Sequence, residues 1–81
     1  MWIRIKQKNM AVTCTDISQY SSFTLDQDVD EDGVPLKNEY VLLGWMKTGG
    51  CTVLAMDNSS VCHDALNRIL TTLKINCMDL K

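Results

Sequence analysis

The residues whose types and spacing could do chemistry lie in one acidic segment near the middle of the chain. Residues 28–39 fit the pattern D-x-D-x-D-G-x5-E of the calcium-binding loop. In such a loop three aspartate carboxylates and a bidentate glutamate bind the ion, and a central glycine allows the sharp turn. The pattern indicates a candidate calcium site formed by Asp28, Asp30, Asp32 and Glu39, with Gly33 at the turn.

The residues around this segment favour a different interpretation. The calcium loop of an EF-hand lies between two helices, whereas residues 20–25 lack a helical stripe and residues 40–46 are typical of a strand. Pro35 occupies loop position eight, where it removes a backbone N–H that paired loops ordinarily use. We therefore expect a solvated acidic hairpin loop, and calcium binding remains the alternative.

The four cysteines and the only histidine form no recognisable metal-binding or catalytic pattern. Cys62 and His63 are adjacent in a predicted helix, so their side chains point about 100° apart and are poorly placed to bond to each other. A zinc site would lack a C-x2-C knuckle and would draw on Cys14, Cys51, Cys62 or His63, and Cys77. Apolar neighbours favour buried, reduced thiols, with a redox pair or metal as the alternative.

Aromatic residues supply the candidate binding surface. No nucleophile elbow, phosphate-binding loop or dinucleotide fingerprint occurs in the sequence, so we expect no enzyme activity. Aromatic side chains dominate protein interfaces and ligand clefts. Trp2 shares a predicted strand face with Arg4 and Lys6, where it is either covered by a second layer or exposed for a partner. The candidate interface residues are Trp2, Arg4, Tyr20, Phe23, Tyr40 and Trp45.

Length and composition allow one small domain. The 81 residues are 46% hydrophobic and 22% charged, which suits one hydrophobic core, and we expect a single domain over residues 1–81.

A net charge of −2 and dispersed basic residues provide no basic stripe, so nucleic acid is not the expected partner. No apolar run approaches a membrane span of roughly 20 residues, and the alternating start does not resemble a signal peptide, which together predict a cytoplasmic protein without a membrane partner. Because cores this small are often supported by a second copy, a homodimer is expected.

Alternation predicts strands in the first half of the chain. Residues 2–8 alternate with Ile3 and Ile5 on the buried face, and a turn at Lys8-Asn9 leads to a second strand that carries Val12 and Cys14 on its apolar face. An irregular edge strand is expected over residues 17–25. The polar residues 26–38 predict a surface loop.

The second half predicts a hairpin followed by a helix. Residues 40–47 and 51–56 are strand-like, and Thr48-Gly49-Gly50 between them tolerates positive φ. The nearly continuous apolar run at residues 40–46 indicates a strand covered on both faces, by the helix and by a partner. Asn58-Ser59-Ser60 offers N-cap oxygens, and an i,i+4 ion pair between Asp64 and Arg68 is expected on the polar helix face. The apolar stripe of the helix is Val61, Cys62, Ala65, Leu66, Ile69, Leu70 and Leu73.

These elements predict an α+β fold. We expect a small antiparallel sheet of four to five strands, arranged as two hairpins and packed by one C-terminal amphipathic helix. The apolar tail from Ile75 to Lys81 is expected to pack on the domain or on a neighbour.

The opening Met1-Trp2-Ile3-Arg4 and the strand-plus-helix half from Tyr40 to Leu73 resemble small uncharacterised proteins of phages and integrated elements of Gram-positive bacteria. The resemblance carries no functional motif. It implies a viral protein that acts in the bacterial host cytoplasm, as an inhibitor or as a sponge, by binding a host component.

Three functions follow as hypotheses. The first is a non-catalytic interaction module that binds and modulates a host protein as a homodimer. The second is a small-molecule or nucleotide sponge, in which aromatic faces stack a base and Arg4 or Lys6 meets phosphate. The third is calcium binding at residues 28–39.

Overall fold

The computed structural model describes residues 1–6 and 12–75. Two antiparallel sheets, one of two strands and one of three, pack against one helix, which confirms the α+β class with five strands and a C-terminal helix. The predicted turn at Lys8-Asn9, Cys77 and the tail beyond Ile75 lie outside the described residues. The elements are β1 (Trp2–Lys6), β2 (Val12–Asp16), a 3-10 turn (Ile17–Gln19), β3 (Tyr20–Val29), β4 (Pro35–Met46), β5 (Cys51–Asp57) and α1 (Ser59–Thr72).

One core joins both sheets to α1. The stripe of α1 buries Cys62, Ala65 and Ile69 as the spacing predicts, because these positions fall on one face of a helix. Gly44 in β4 also faces this core, and a Cβ there would lie 2.9 Å from the ring of Tyr20. The buried apolar residues are Ile3, Ile5, Ile17, Tyr20, Leu42, Leu54, Ala55, Cys62, Ala65 and Ile69.

The ends of α1 have identifiable caps. Asn58 is the N-cap, and its Oδ1 accepts a hydrogen bond of 2.9 Å from the backbone N–H of Val61. After the last turn Lys74 adopts φ of 58°, and the N–H of Ile75 bonds to the carbonyl of Leu70 at 2.9 Å. The predicted helix and its capping segment are therefore confirmed.

A sharp corner connects the two sheets. Asp16 caps the 3-10 turn, since its Oδ1 accepts hydrogen bonds from the Ser18 hydroxyl at 2.7 Å and from the Ser18 N–H at 3.1 Å. Across the corner the hydroxyls of Thr15 and Tyr20 lie 2.9 Å apart in a buried hydrogen bond. A buried polar pair satisfied in this way fixes the position of β2 relative to β3.

Two expectations about the strands are wrong in detail. In β2 the inward face carries buried Thr15, while Val12 and Cys14 are exposed, because the Thr15 hydroxyl is bonded to Tyr20 in the core. The acidic segment is mostly strand rather than loop: β3 continues to Val29 and β4 begins at Pro35, because backbone pairing between the two strands extends through the polar residues.

The cap at Asp16 makes stability depend on pH. Its pKa is lowered from 3.8 to about 2, first by the Ser18 hydroxyl, then by the N-terminal ammonium of Met1 at 3.0 Å and the Ser18 N–H. A lowered pKa in the folded state contributes stability that is complete above the unfolded pKa of 3.8 and disappears as pH falls through about 2.

We expect Asp16→Asn to be less stable than wild type at neutral pH, and the difference to shrink between pH about 4 and about 2. Urea unfolding at several pH values measures this difference. Asp32→Asn, at the exposed tip of a hairpin, is the charge-matched control. A wild-type advantage over Asp16→Asn that persists unchanged at pH 2 would contradict the assignment.

Candidate functional site

The acidic segment forms the tip of the β3–β4 hairpin. Asp30 organises the turn: its Oδ1 accepts hydrogen bonds from the N–H groups of Asp32 at 2.9 Å and Val34 at 3.0 Å. The Asp28 carboxylate accepts from the N–H of Val29 at 2.9 Å, and Gly33 supplies φ of 79°. These carboxylates therefore accept hydrogen bonds from the backbone of a tight turn flanked by strands.

The side chains that the calcium pattern selects do not form a ligand cluster in the described part of the chain. No group of three or more His, Cys, Asp or Glu residues there could hold a metal ion. Glu39 lies within β4, inside the stretch between Pro35 and Tyr40 where the pairing with β3 is irregular. The hairpin that the sequence predicts in place of an EF-hand is present.

The cysteines occupy different environments. Cys62 is fully buried, its Sγ lies 3.7 Å from the carbonyl oxygens of Tyr40 and Asp57, and burial raises the pKa of its thiol. A buried neutral thiol is a poor nucleophile. Cys14 and Cys51 are exposed, so the expectation that they are buried is wrong: each faces away from the core on its strand.

His63 lies on the exposed side of α1, where it bonds along the helix rather than to Cys62. Its Nδ1 is 3.0 Å from the Ser59 carbonyl and 3.3 Å from the Ser59 hydroxyl. These contacts stay within the first turns of α1, and the predicted separation of the Cys62 and His63 side chains is therefore observed.

The first candidate surface is the outward face of the three-stranded sheet, which we call the outer sheet face. Side chains alternate along β4, so Leu42 and Gly44 point to the core and their neighbours point away. Register pairs these neighbours with exposed residues of β5, for example Leu43 with Val53. Exposure reaches 45% at Val53 and 39% at Trp45. The outer sheet face comprises Val41, Leu43, Trp45, Cys51, Val53 and Met56 of β4 and β5, with Ser22, Thr24 and Asp26 of β3 along one side.

Trp45 is held in a fixed orientation on the outer sheet face. Its Nε1 donates a 2.9 Å hydrogen bond to the Thr24 hydroxyl of β3, two residues along the strand from its cross-strand partner Ser22. The indole N–H is thus satisfied within the protein. The apolar ring surface remains available to a partner, which is the arrangement of an interface anchor.

The second candidate surface is a groove of about 610 Å³ between β1 and the polar face of α1. We call it the β1–α1 groove. Its volume lies in the usual range of ligand sites. Trp2 is 69% exposed at its wall, and the Arg68 Nη2 crosses to donate a 3.2 Å hydrogen bond to the Arg4 carbonyl. The lining residues used below are Trp2, Arg4, Asp64, Asn67, Arg68 and Thr71.

The structure distributes the six predicted interface residues over three places. Trp2 and Arg4 line the β1–α1 groove, and Trp45 lies on the outer sheet face. Tyr20 is 5% exposed and belongs to the core. Phe23 and Tyr40 are half-buried and pack against the core, and the ring of Phe23 meets Tyr20 edge-on at 5.8 Å.

Sequence reasoning did not identify the helix wall of the groove. The sequence predicts an ion pair between Asp64 and Arg68 on the polar face of α1, and that face, with Asn67 and Thr71, forms the wall. The structure has no ion pair between Asp64 and Arg68, since Arg68 reaches the Arg4 carbonyl instead. The available signal was their spacing of three and four residues, which places them on one side of a helix.

No helix in the described residues is long and apolar enough to cross a membrane. No protein-family model, curated protein or solved structure matches this chain.

The hydrogen bonds at the hairpin tip predict that Asp30 acts as a cap rather than as a metal ligand. Asp30→Ala should destabilise the protein by about 1 kcal/mol through the lost hydrogen bonds, while Asp30→Asn, which keeps the oxygen acceptor, should be nearly neutral. Thermal unfolding measures both. Millimolar calcium should shift the melting temperature of wild type no more than sodium chloride of equal ionic strength. A calcium-specific gain in stability that is lost in Asp30→Asn would establish the metal site instead.

Proposed function

We propose that this protein is a non-catalytic interaction module that binds and modulates a protein partner and acts as a homodimer. The uncovered apolar outer sheet face is the observation that carries the proposal. The resemblance to phage and mobile-element proteins supports a component of the bacterial host as the partner and the host cytoplasm as the compartment.

The outer sheet face has the composition of an interface core. Leu43, Trp45 and Val53 form an apolar area at its centre, and contiguous exposed apolar area on a small protein marks an interaction site. The continuous apolar run of β4 is explained by this arrangement, because one set of alternating residues meets the core and the other set meets the partner.

A second copy of the chain is the occupant best suited to this face. The residues of β4 and β5 on this face carry no charge, and Asp26 lies to one side on the edge strand β3, so a two-fold axis at the centre brings apolar side chains together. A dimer also adds buried apolar area to a chain whose own core is limited by its length. Dimer formation would thus both cover the exposed apolar face and enlarge the small hydrophobic core.

We expect light scattering after size exclusion at micromolar concentration to give twice the 9.1 kDa chain mass. Val53→Lys should weaken the dimer at least about tenfold, because a two-fold axis brings the two new charges close together in an apolar interface. The matched control is Val12→Lys, which adds the same charge at another exposed strand valine outside the outer sheet face.

Three outcomes decide between the alternatives. A monomeric wild type across this concentration range overturns the homodimer, and equal weakening by both lysine variants removes the assignment to the outer sheet face. Dissociation by Val53→Lys alone, with an unchanged melting temperature at concentrations where both proteins are monomeric, supports it.

A further inference from the structure

We infer that the β1–α1 groove binds an extended acidic peptide segment of a partner protein, which adds as a strand to the free edge of β1. The inference rests on the proposed function, which makes the partner a protein. It deepens that proposal by giving the partner's chemistry and its binding site. It uses a surface separate from the outer sheet face.

The backbone of β1 presents a pairing edge to the groove. The Met1 carbonyl accepts from the Ile17 N–H at 2.9 Å, so odd-numbered residues of β1 direct their N–H and carbonyl groups toward β2. The even-numbered residues Trp2, Arg4 and Lys6 therefore direct theirs to the opposite side, where Arg68 donates to the Arg4 carbonyl. No strand in residues 1–6 or 12–75 pairs with that edge.

A strand edge facing a helix is a suitable receptor for an extended peptide. Main-chain hydrogen bonds to the edge give affinity, and side chains from the facing helix give specificity. Here α1 supplies Asn67, Arg68 and Thr71 as the facing wall. Trp2 adds a large exposed aromatic surface against which an apolar side chain of the peptide can pack.

The charges of the groove select an acidic peptide. Arg4 and Arg68 line it with one opposing carboxylate, Asp64, so it is positive although the chain as a whole is negative. In this structure the Arg68 guanidinium donates a hydrogen bond to the Arg4 carbonyl. An N–H group of the incoming peptide replaces Arg68 as the donor to that carbonyl. Arg68 can then form a charge-assisted hydrogen bond with a peptide carboxylate.

These features favour a peptide over a nucleotide. Both ligands could use an aromatic ring and two arginines, but only a peptide uses the free row of N–H and carbonyl groups on β1. Asp64 is also less compatible with the concentrated charge of a phosphate group than with single carboxylates spaced along an extended peptide. The nucleotide becomes one arm of the test.

The probe is an acetylated hexapeptide of alternating glutamate and valine, titrated into the isotope-labelled full chain and followed by NMR. We expect saturable shifts of the amides of Trp2, Arg4 and Lys6. Arg68→Gln should weaken binding at least about tenfold, while Asp64→Asn should tighten it several-fold by removing like-charge repulsion. Lys47→Gln, an exposed charge in the β4–β5 turn, is the matched control and should bind as wild type does.

Backbone pairing is tested separately from charge. Two versions of the peptide carry N-methyl groups on one or the other set of alternating residues, and one of them should lose binding because only one set of N–H groups faces β1. The same peptide with lysine in place of glutamate should not bind. Loss of binding in one methylated peptide, together with the Arg68 and Asp64 effects, supports strand addition.

Other results overturn the inference. One is that the glutamate peptide does not bind at millimolar concentration, and another is that both methylated peptides bind equally. A third is that ATP causes saturable shifts of the same amides while the peptide causes none. A dimer that fails to bind the peptide overturns the groove assignment alone. A monomer that binds the peptide overturns only the dimer, so the two proposals fail separately.

Discussion

One helix of fourteen residues has to cover the inner faces of two sheets, and the rest of the structure depends on that constraint. The buried stripe of α1, with Cys62, Ala65 and Ile69, meets inward residues of both sheets in one core. The described chain has no second helix to cover the other side of the sheet. The outer sheet face is therefore left to solvent or to a partner, and the lateral edge of β1 is left to the polar side of α1.

Many of the acidic and basic residues of the molecule lie on different surfaces. The acidic residues of the β3–β4 hairpin lie at a tip that turns away from the core, where Asp30 bonds to the backbone of the turn. The groove between β1 and α1 contains Arg4 and Arg68. A weakly charged chain can thus present an acidic tip, an apolar face and a basic groove as distinct surfaces, since its charges are distributed unevenly.

The sequence predicts the elements better than it predicts their faces and contacts. Alternation in β1 and the stripe of α1 are strong because large apolar residues recur at one period, and both are confirmed. In β2 the side chains are small and mixed, so the local pattern does not identify Thr15, which lies opposite buried Ile3 and bonds to Tyr20, as the residue that turns inward. The groove was not predictable, because Arg4 and Arg68 are 64 residues apart and no local pattern relates them.

The connectivity of the strands has a consequence for the order in which the molecule folds. Every strand pairing among residues 1–6 and 12–75 joins neighbours in the sequence, β1 with β2, β3 with β4 and β4 with β5, so each hairpin closes only a short loop. The contact of Arg68 with Arg4 closes nearly the whole chain and carries the largest entropic cost of loop closure. The groove should therefore assemble late, after the hairpins, and β1 and α1 should separate there before the pairing of β4 is lost when the protein opens.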